Sequence, residues 1–311
     1  MSMRIGLQMS SFTGPKGATL LGKEIKTIVQ RADAAGFASF WVMDHFFPLG
    51  PIGHGVTDQD MLEAYTTLGY VAGISERMKL GVMVTGVTYH EPALLVKAVT
   101  TLDVLSGGRA YLGIGAAWFE EEHIALGVRF PPLKERFERL EETLQIAYLM
   151  WNDAGNYDDA KPFDGTYYHL KRTLNVPQSI QRPHPPILIG GTGEQKTLRM
   201  VAQYGDACNL SAGLGDDVLK RKLSVLQGHC ETYGRAYTEI EKTSLDFIHV
   251  TADGTDGSLT VQGAIDYFGH LAELGFDQAI VTPRTIFEPE TFDIWQSDII
   301  PAVSKIAVAG R

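Results

Sequence analysis

PILIGGTGEQKTLRMVAQYGDACNL, residues 186–210, is the stretch that decides the fold. Pro186–Ile189 is apolar and of strand length. Gly190-Gly191-Thr192-Gly193 interrupts it, Glu194–Tyr204 has the length of a helix, and Asp206–Leu210 is a second short strand. Two strands joined through one helix lie parallel, because only a long crossover returns the chain to the same end of a sheet.

The unit repeats in both directions. Strands are predicted upstream at Arg4–Met9, Ser39–Met43, Met78–Val84 and Ala110–Ile114, and downstream at Ser244–Val250 and Gln278–Val281. Helices fall between them at Lys23–Ala35, Met61–Ile74, Pro92–Leu105, Leu133–Trp151, Val218–Tyr233 and Val261–Leu274. The clearest is Leu133–Trp151, where Leu133, Phe137, Leu140, Leu144, Ala147 and Trp151 share one face. Strands apolar on nearly every residue suit a parallel sheet covered on both faces, and eight of them suit a closed (β/α)8 barrel better than an open doubly wound sheet. The chain of 311 residues reads as one such domain, 1–311. Two segments break the alternation. Asp44–Asp60 is a long loop, and Asn152–Pro186 is an insertion with a short strand in Thr166–Leu170, of a length that suits a cover over a site.

Composition removes several function classes. A net charge of −10 repels phosphate backbones, so nucleic acid is not an expected partner. No apolar run of membrane-spanning length occurs and no basic leader precedes the first strand, so the expectation is a cytoplasmic protein. Cys208 and Cys230 have no metal-ligand spacing and read as buried thiols; no metal site and no Gly-x-Ser-x-Gly elbow is found.

A barrel places its active site at the C-terminal ends of the strands. The residues there are Gln8, Asp44-His45, Thr85-Gly86, Gly115-Ala116-Ala117-Trp118, Gly190–Gly193, Asn209-Leu210-Ser211, His249 and Pro283-Arg284. Asp44-His45 is the sharpest polar pair: a histidine at the rim of an apolar strand can handle a proton near neutral pH, or simply bond a loop. Gly190-Gly191-Thr192-Gly193, between strand and helix, can present backbone N–H groups to an anion, or be only a tight turn. It is neither a dinucleotide fingerprint, since Lys196 holds the third glycine position, nor a P-loop. Gly115-Ala116-Ala117-Trp118 reads as backbone that a flat ring can approach with Trp118 as a wall, or as a turn whose Trp packs in the core. Among the other histidines, His90, His123, His229, His249 and His270 are scattered and read mostly as surface or packing residues.

The stretches FWVMDHFF (40–47), LGVMVTGVTYHEP (80–92), TTLDVLSGGRAYLGIGAAWFEEEH (100–123), PPLKERFERLEETLQ (131–145) and PPILIGGTGEQKTLRMVAQYGDACNL (185–210) together resemble the luciferase-like monooxygenase superfamily, in particular its F420-dependent oxidoreductases. The resemblance implies a (β/α)8 barrel holding the deazaflavin coenzyme F420, or alternatively FMN, in its mouth. It implies a bulge in the third strand, often with a non-prolyl cis peptide, within Val82–Thr85. Asp44, His45, Met83, Val84, Thr85, Gly115, Ala116 and Trp118 would surround the ring, and Gly190, Gly191, Thr192 and Gly193 would take the phosphate. His45 would be the proton-handling group, with Asp44 orienting it, in hydride transfer to or from a small organic substrate; the rivals are an FMN monooxygenase and a cofactor-binding protein without turnover. Family members suggest a homodimer. The sugar-phosphate dehydrogenase branch carries a Trp four residues after the histidine and a Glu in the fourth-strand turn. Those positions hold Leu49 and Trp118, which argues against glucose 6-phosphate and leaves Glu120 or Glu121 as the nearby acid.

Overall fold

The computed structural model describes residues 1–49, 59–152, 157–255 and 257–311. Its strands are β1 (Arg4–Met9), β2 (Ser39–Val42), β3 (Lys79–Val82), β4 (Thr85–Gly86), β5 (Leu112–Gly115), β6 (Phe163–Asp164), β7 (His169–Leu170), β8 (Ile187–Gly190), β9 (Ala207–Ser211), β10 (Glu241–Ile248) and β11 (Gln278–Pro283). Its helices are α1 (Ala18–Ala35), α2 (Ala64–Ala72), α3 (Pro92–Leu105), α4 (Glu120–Ala125), α5 (Leu133–Trp151), α6 (Thr197–Tyr204), α7 (Asp216–Thr232) and α8 (Val261–Glu273), then α9 (Thr291–Ile294) and α10 (Ile300–Val303) joined by a π-helical turn, Trp295–Ile299.

All strands but β6 and β7 form one parallel sheet in the order β3-β2-β1-β11-β10-β9-β8-β5-β4. Its ends meet, because β4 pairs with β5 and Leu80 of β3 bridges Ala110 just ahead of β5. β3 and β4 are thus two halves of one stave, and the sheet closes as the (β/α)8 barrel expected from the sequence. The stave is broken at Met83–Val84, a non-prolyl cis peptide, inside the expected bulge.

Several boundaries differ from the sequence reading, each for a local reason. α2 starts at Ala64 and not Met61 because Glu63 caps it, accepting the N–H groups of Tyr65 and Thr66. β10 starts at Glu241 and not Ser244. Its polar residues are paired inside the barrel floor, Glu241 with Arg4 and the Tyr111 hydroxyl, Lys242 with Asp277. α1 starts earlier, at Ala18, and α6 later, at Thr197. The strand expected in Thr166–Leu170 is half of an antiparallel hairpin, with Phe163–Asp164 pairing His169–Leu170. Helix α4 and the C-terminal helical run were not visible in the periodicity, being too short and too irregular. Part of the loop Asp44–Asp60, residues 50–58, lies outside the described residues.

The described part of the insertion is anchored to two outer helices. Its backbone N–H groups at Thr166, Tyr167 and Tyr168 converge on the Glu142 carboxylate of α5, and those at Ile180 and Gln181 on Asp103 near the end of α3. Asn175 reaches Thr100. These anchors tie the described part of Asn152–Pro186 to α5 and α3, and none of it lines the cavity described below, although Tyr168 lies beside Tyr89 and His90 at the β4 rim.

Trp41, Met83, Tyr111, Leu188, Ala207 and Ile280 fill the barrel interior. Polar side chains share that space in pairs: Thr282 donates to Gln8, Asn209 to Thr243, and Ser39 to Gln278. The outer core runs from Met3 to Val308. Cys208 and Cys230 are buried and free, and burial pushes the Cys208 thiol up to about 12, as expected of inert thiols. Among the described residues no helix is long and apolar enough to cross a membrane.

One buried cation fastens the turn before β5. Arg109 donates to the carbonyls of Ala72, Ser75, Met78 and Ser106 and to the Ser75 hydroxyl, joining the end of α2 to the entry of β3. Arg109→Ala strands those acceptors and should cost about 2–4 kcal/mol in urea unfolding, whereas a loss below about 1 kcal/mol would contradict this role.

Candidate active site in the barrel mouth

The C-terminal ends of the strands surround a cavity of about 500 Å³. Asp44, His45, Met83, Val84, Thr85, Gly115, Ala116, Trp118 and Gly190–Gly193 all line it, so the structure brings together the residues that the resemblance assigned to the cofactor. Of the remaining strand-end residues, Asn209 also faces it; Gln8, His249 and Arg284 are not among its walls.

The floor is a notch in the backbone. Met83–Gly86 bulges between β3 and β4, and Val84 packs against the facing strand ends. A Cβ added at Gly115 or Gly190 would come within 2.9 or 2.7 Å of a Val84 methyl, so these two glycines make the room that Val84 needs. Asp44, 4% exposed, clamps the bulge: its Oδ2 accepts the Gly86 N–H at 2.9 Å and pairs with Nε2 of His90, also at 2.9 Å. Thr85 is held from behind by the Tyr65 hydroxyl at 2.7 Å. Asp44 therefore does not orient His45, as the sequence reading expected. Its carboxylate points back into the stave, and its partner is His90.

The acid that holds His45 is Glu122. His45 Nδ1 lies 3.1 Å from its Oε2. The same carboxylate accepts the N–H groups of Phe46 at 2.7 Å and Phe47 at 2.8 Å, and the Tyr89 hydroxyl. Its side chain is fully buried. Burial pushes the Glu122 carboxyl up, but the hydrogen bonds from His45, Tyr89 and the Phe47 N–H outweigh it and hold the group below its ordinary value. Burial and the bond to Glu122 keep the Tyr89 phenol protonated as a donor. With Nδ1 donating to a carboxylate, His45 has Nε2 left for the cavity, where Trp118 and Phe119 meet the ring edge-on at 5.6 and 5.9 Å.

Glu120 and Glu121, the acids considered from the sequence, point to solvent. Helix α4 turns Glu122 and His123 inward instead. His123 is not a surface residue: burial lowers its basicity, Nδ1–H donates to the Phe119 carbonyl at 2.7 Å, and Nε2 accepts from the Thr88 hydroxyl at 2.6 Å. Tyr89 and His90 sit in the stretch TYHEP, and their signal was spacing: they follow the β4 rim closely enough to reach both acids. Trp118, 54% exposed, is a wall of the cavity and not a core residue. The turn that presents it is fixed by Arg136, which donates to the carbonyls of Ala116 and Ala117, the latter residue at φ 57°. Leu49 does not reach the cavity.

On the other side, Gly191 adopts φ 124°, a conformation that favours glycine. The N–H groups of Gly191, Thr192 and Gly193 bond to nothing among the described residues, and α6 begins just behind them. Lys222 fixes the turn by donating to the Thr192 carbonyl at 2.7 Å. Free N–H groups ahead of a helix are an anion cradle. No group of His, Cys, Asp and Glu among the described residues could hold a metal ion.

Because Glu122 is held below its ordinary value of 4.5, its bonds stabilise the fold above that value and are lost as pH falls through the lower folded value. Glu122→Gln should therefore flatten the fall in unfolding free energy between about pH 6 and about pH 3. A variant as acid-sensitive as the parent would show that Glu122 is not a significant acid-titrating anchor.

Comparison with known proteins bears on this architecture. The luciferase-like monooxygenase family matches residues 3–257. A relative named F420-dependent glucose-6-phosphate dehydrogenase, from Kineococcus radiotolerans, is 32% identical over 220 residues, covering 68% of this chain and 60% of its own length. The chain thus spans about three fifths of that relative. Among solved structures, a monooxygenase from Streptomyces bottropensis matches at a TM-score of 0.79 and 19% identity, covering 97% of this chain and 99% of its own. An F420-dependent secondary alcohol dehydrogenase matches at a TM-score of 0.79 and 18% identity, with the same coverage. The barrel, the broken third stave and the extent of the sequence match place this chain in the luciferase-like monooxygenase family.

Proposed function

We propose that the protein is an F420-dependent oxidoreductase that transfers a hydride between the deazaflavin and a small organic substrate. The observation that carries this reading is the pairing, in one cavity, of an anion cradle at Gly191–Gly193 with a histidine, His45, whose Nδ1 is anchored on a buried carboxylate. The match to a relative named for F420 supports the choice of cofactor.

The residues present fit such a group. The Met83–Gly86 backbone and Ala116 offer a shallow surface to a flat ring, Trp118 offers a wall, and the unpaired N–H groups of the glycine turn suit a phosphate. When bound, the deazaflavin supplies the site that accepts or gives the hydride. The protein's own part is positioning and proton handling. Asp44 and Tyr65 fix the bulge that supports the ring. Glu122 fixes His45 so that Nε2 is the nitrogen left to take a proton from a substrate hydroxyl, or to return one to a carbonyl. The carboxylate also stabilises the imidazolium formed in the first case, and the rings of Trp118 and Phe119 shield the imidazole edge from water.

Titration with F420 and with FMN, followed by tryptophan fluorescence, tests the cofactor; tight FMN binding with no response to F420 would overturn the reading. On the F420-loaded protein, His45→Ala should lower kcat by about 100-fold or more while F420 affinity stays within about threefold. Unchanged turnover would remove His45 from the chemistry.

A further inference from the structure

We propose that the substrate of this cavity is an uncharged molecule with an apolar body and one hydroxyl or carbonyl group, and not a sugar phosphate; the proposal rests on the cofactor reading above. A phosphate dianion calls for lysines, arginines or free N–H groups that face it. No lysine or arginine lines the cavity among the described residues. The residues outside the description, 50–58, 153–156 and 256, contain none either. The cations behind the walls are engaged: Arg136 with the carbonyls of Ala116 and Ala117, Lys222 with the Thr192 carbonyl and Glu194. Lys196 lies over the Phe137 ring at 5.1 Å, beside the glycine turn. In this reading the cofactor's own phosphate occupies that turn, and the other N–H groups of the wall without a partner among the described residues, at Ala116–Trp118, stand beside the ring surface and the Trp118 wall with no lysine or arginine next to them in the cavity. A second phosphate would come near the buried Asp44 carboxylate in the wall, whose donors, His90 and the Gly86 N–H, are already engaged.

What the cavity does offer is apolar surface. Phe119, Leu133, Phe137 and Leu245 line it together with Trp118. Leu133 and Trp118 are 55% and 54% exposed, an uncovered apolar wall at the mouth of a pocket. Burying that wall against a hydrocarbon body is favourable, and against a hydrated sugar phosphate it is not. His45 Nε2 then supplies the single polar contact.

The test measures equilibrium binding of 2-butanone, 2-hexanone and 2-octanone against glucose 6-phosphate, on protein loaded with F420. Affinity should rise about two- to fourfold per added methylene and be insensitive to salt. Glucose 6-phosphate should fail to displace 2-octanone at about tenfold higher concentration. Leu133→Ala, at an exposed position, should weaken 2-octanone by about threefold or more and leave F420 affinity within about twofold. Glucose 6-phosphate binding as tightly as 2-octanone, or a flat ketone series, would overturn the proposal. Failure to retain F420 is read separately: it overturns the cofactor reading, and the same series on FMN-loaded or unloaded protein still decides the substrate class.

Discussion

The buried carboxylate of Glu122 is the interaction on which the mouth of the barrel depends. It takes donors from three places in the chain: His45 and the two N–H groups that follow it after β2, Tyr89 after β4, and its own helix α4 after β5. A carboxylate at 0% side-chain exposure is tolerated only when it is fully bonded. Here the bonds serve function as well as stability. They set which imidazole nitrogen of His45 is tied and which is left for a substrate.

A second constraint acts on the floor. The chain breaks its third stave so that backbone, and not side chains, faces the space above. Keeping that bulge in place takes a clamp from each side: Asp44 on the Gly86 N–H, Tyr65 on the Thr85 hydroxyl, and Val84 lodged between Gly115 and Gly190. Asp44 is adjacent to His45 in sequence and remote from it in role. Both residues line the cavity, but the Asp44 carboxylate bonds the Gly86 N–H and His90 while the His45 imidazole bonds Glu122.

The barrel was legible because short apolar strands and amphipathic helices alternate with a regular period, and the glycine turn at 190–193 stands between two of them. The walls of the site were legible because they lie at strand ends, a position that the period locates. The partnerships were not. That Glu122 and not Glu120 or Glu121 meets His45 depends on the rotation of a six-residue helix too short to show periodicity. That Asp44 meets His90 depends on the path of the bulge. The anchoring of the insertion was not legible either: its backbone is tied to Glu142 and Asp103 on the outer helices, partners that no spacing indicates. β10 was read too short because buried ion pairs disguised its first residues as loop.

The resulting picture is a largely apolar pocket without a lysine or arginine in its wall, with a glycine turn suited to an anion and one oriented histidine. A crystal structure of the protein with F420 bound tests it most directly. The account predicts the phosphate on the N–H groups of Gly191–Gly193, the deazaflavin ring against the Met83–Gly86 backbone, and His45 still bonded to Glu122 through Nδ1. A phosphate bound elsewhere, or a ring lying away from the bulge with His45 turned off Glu122, would contradict it.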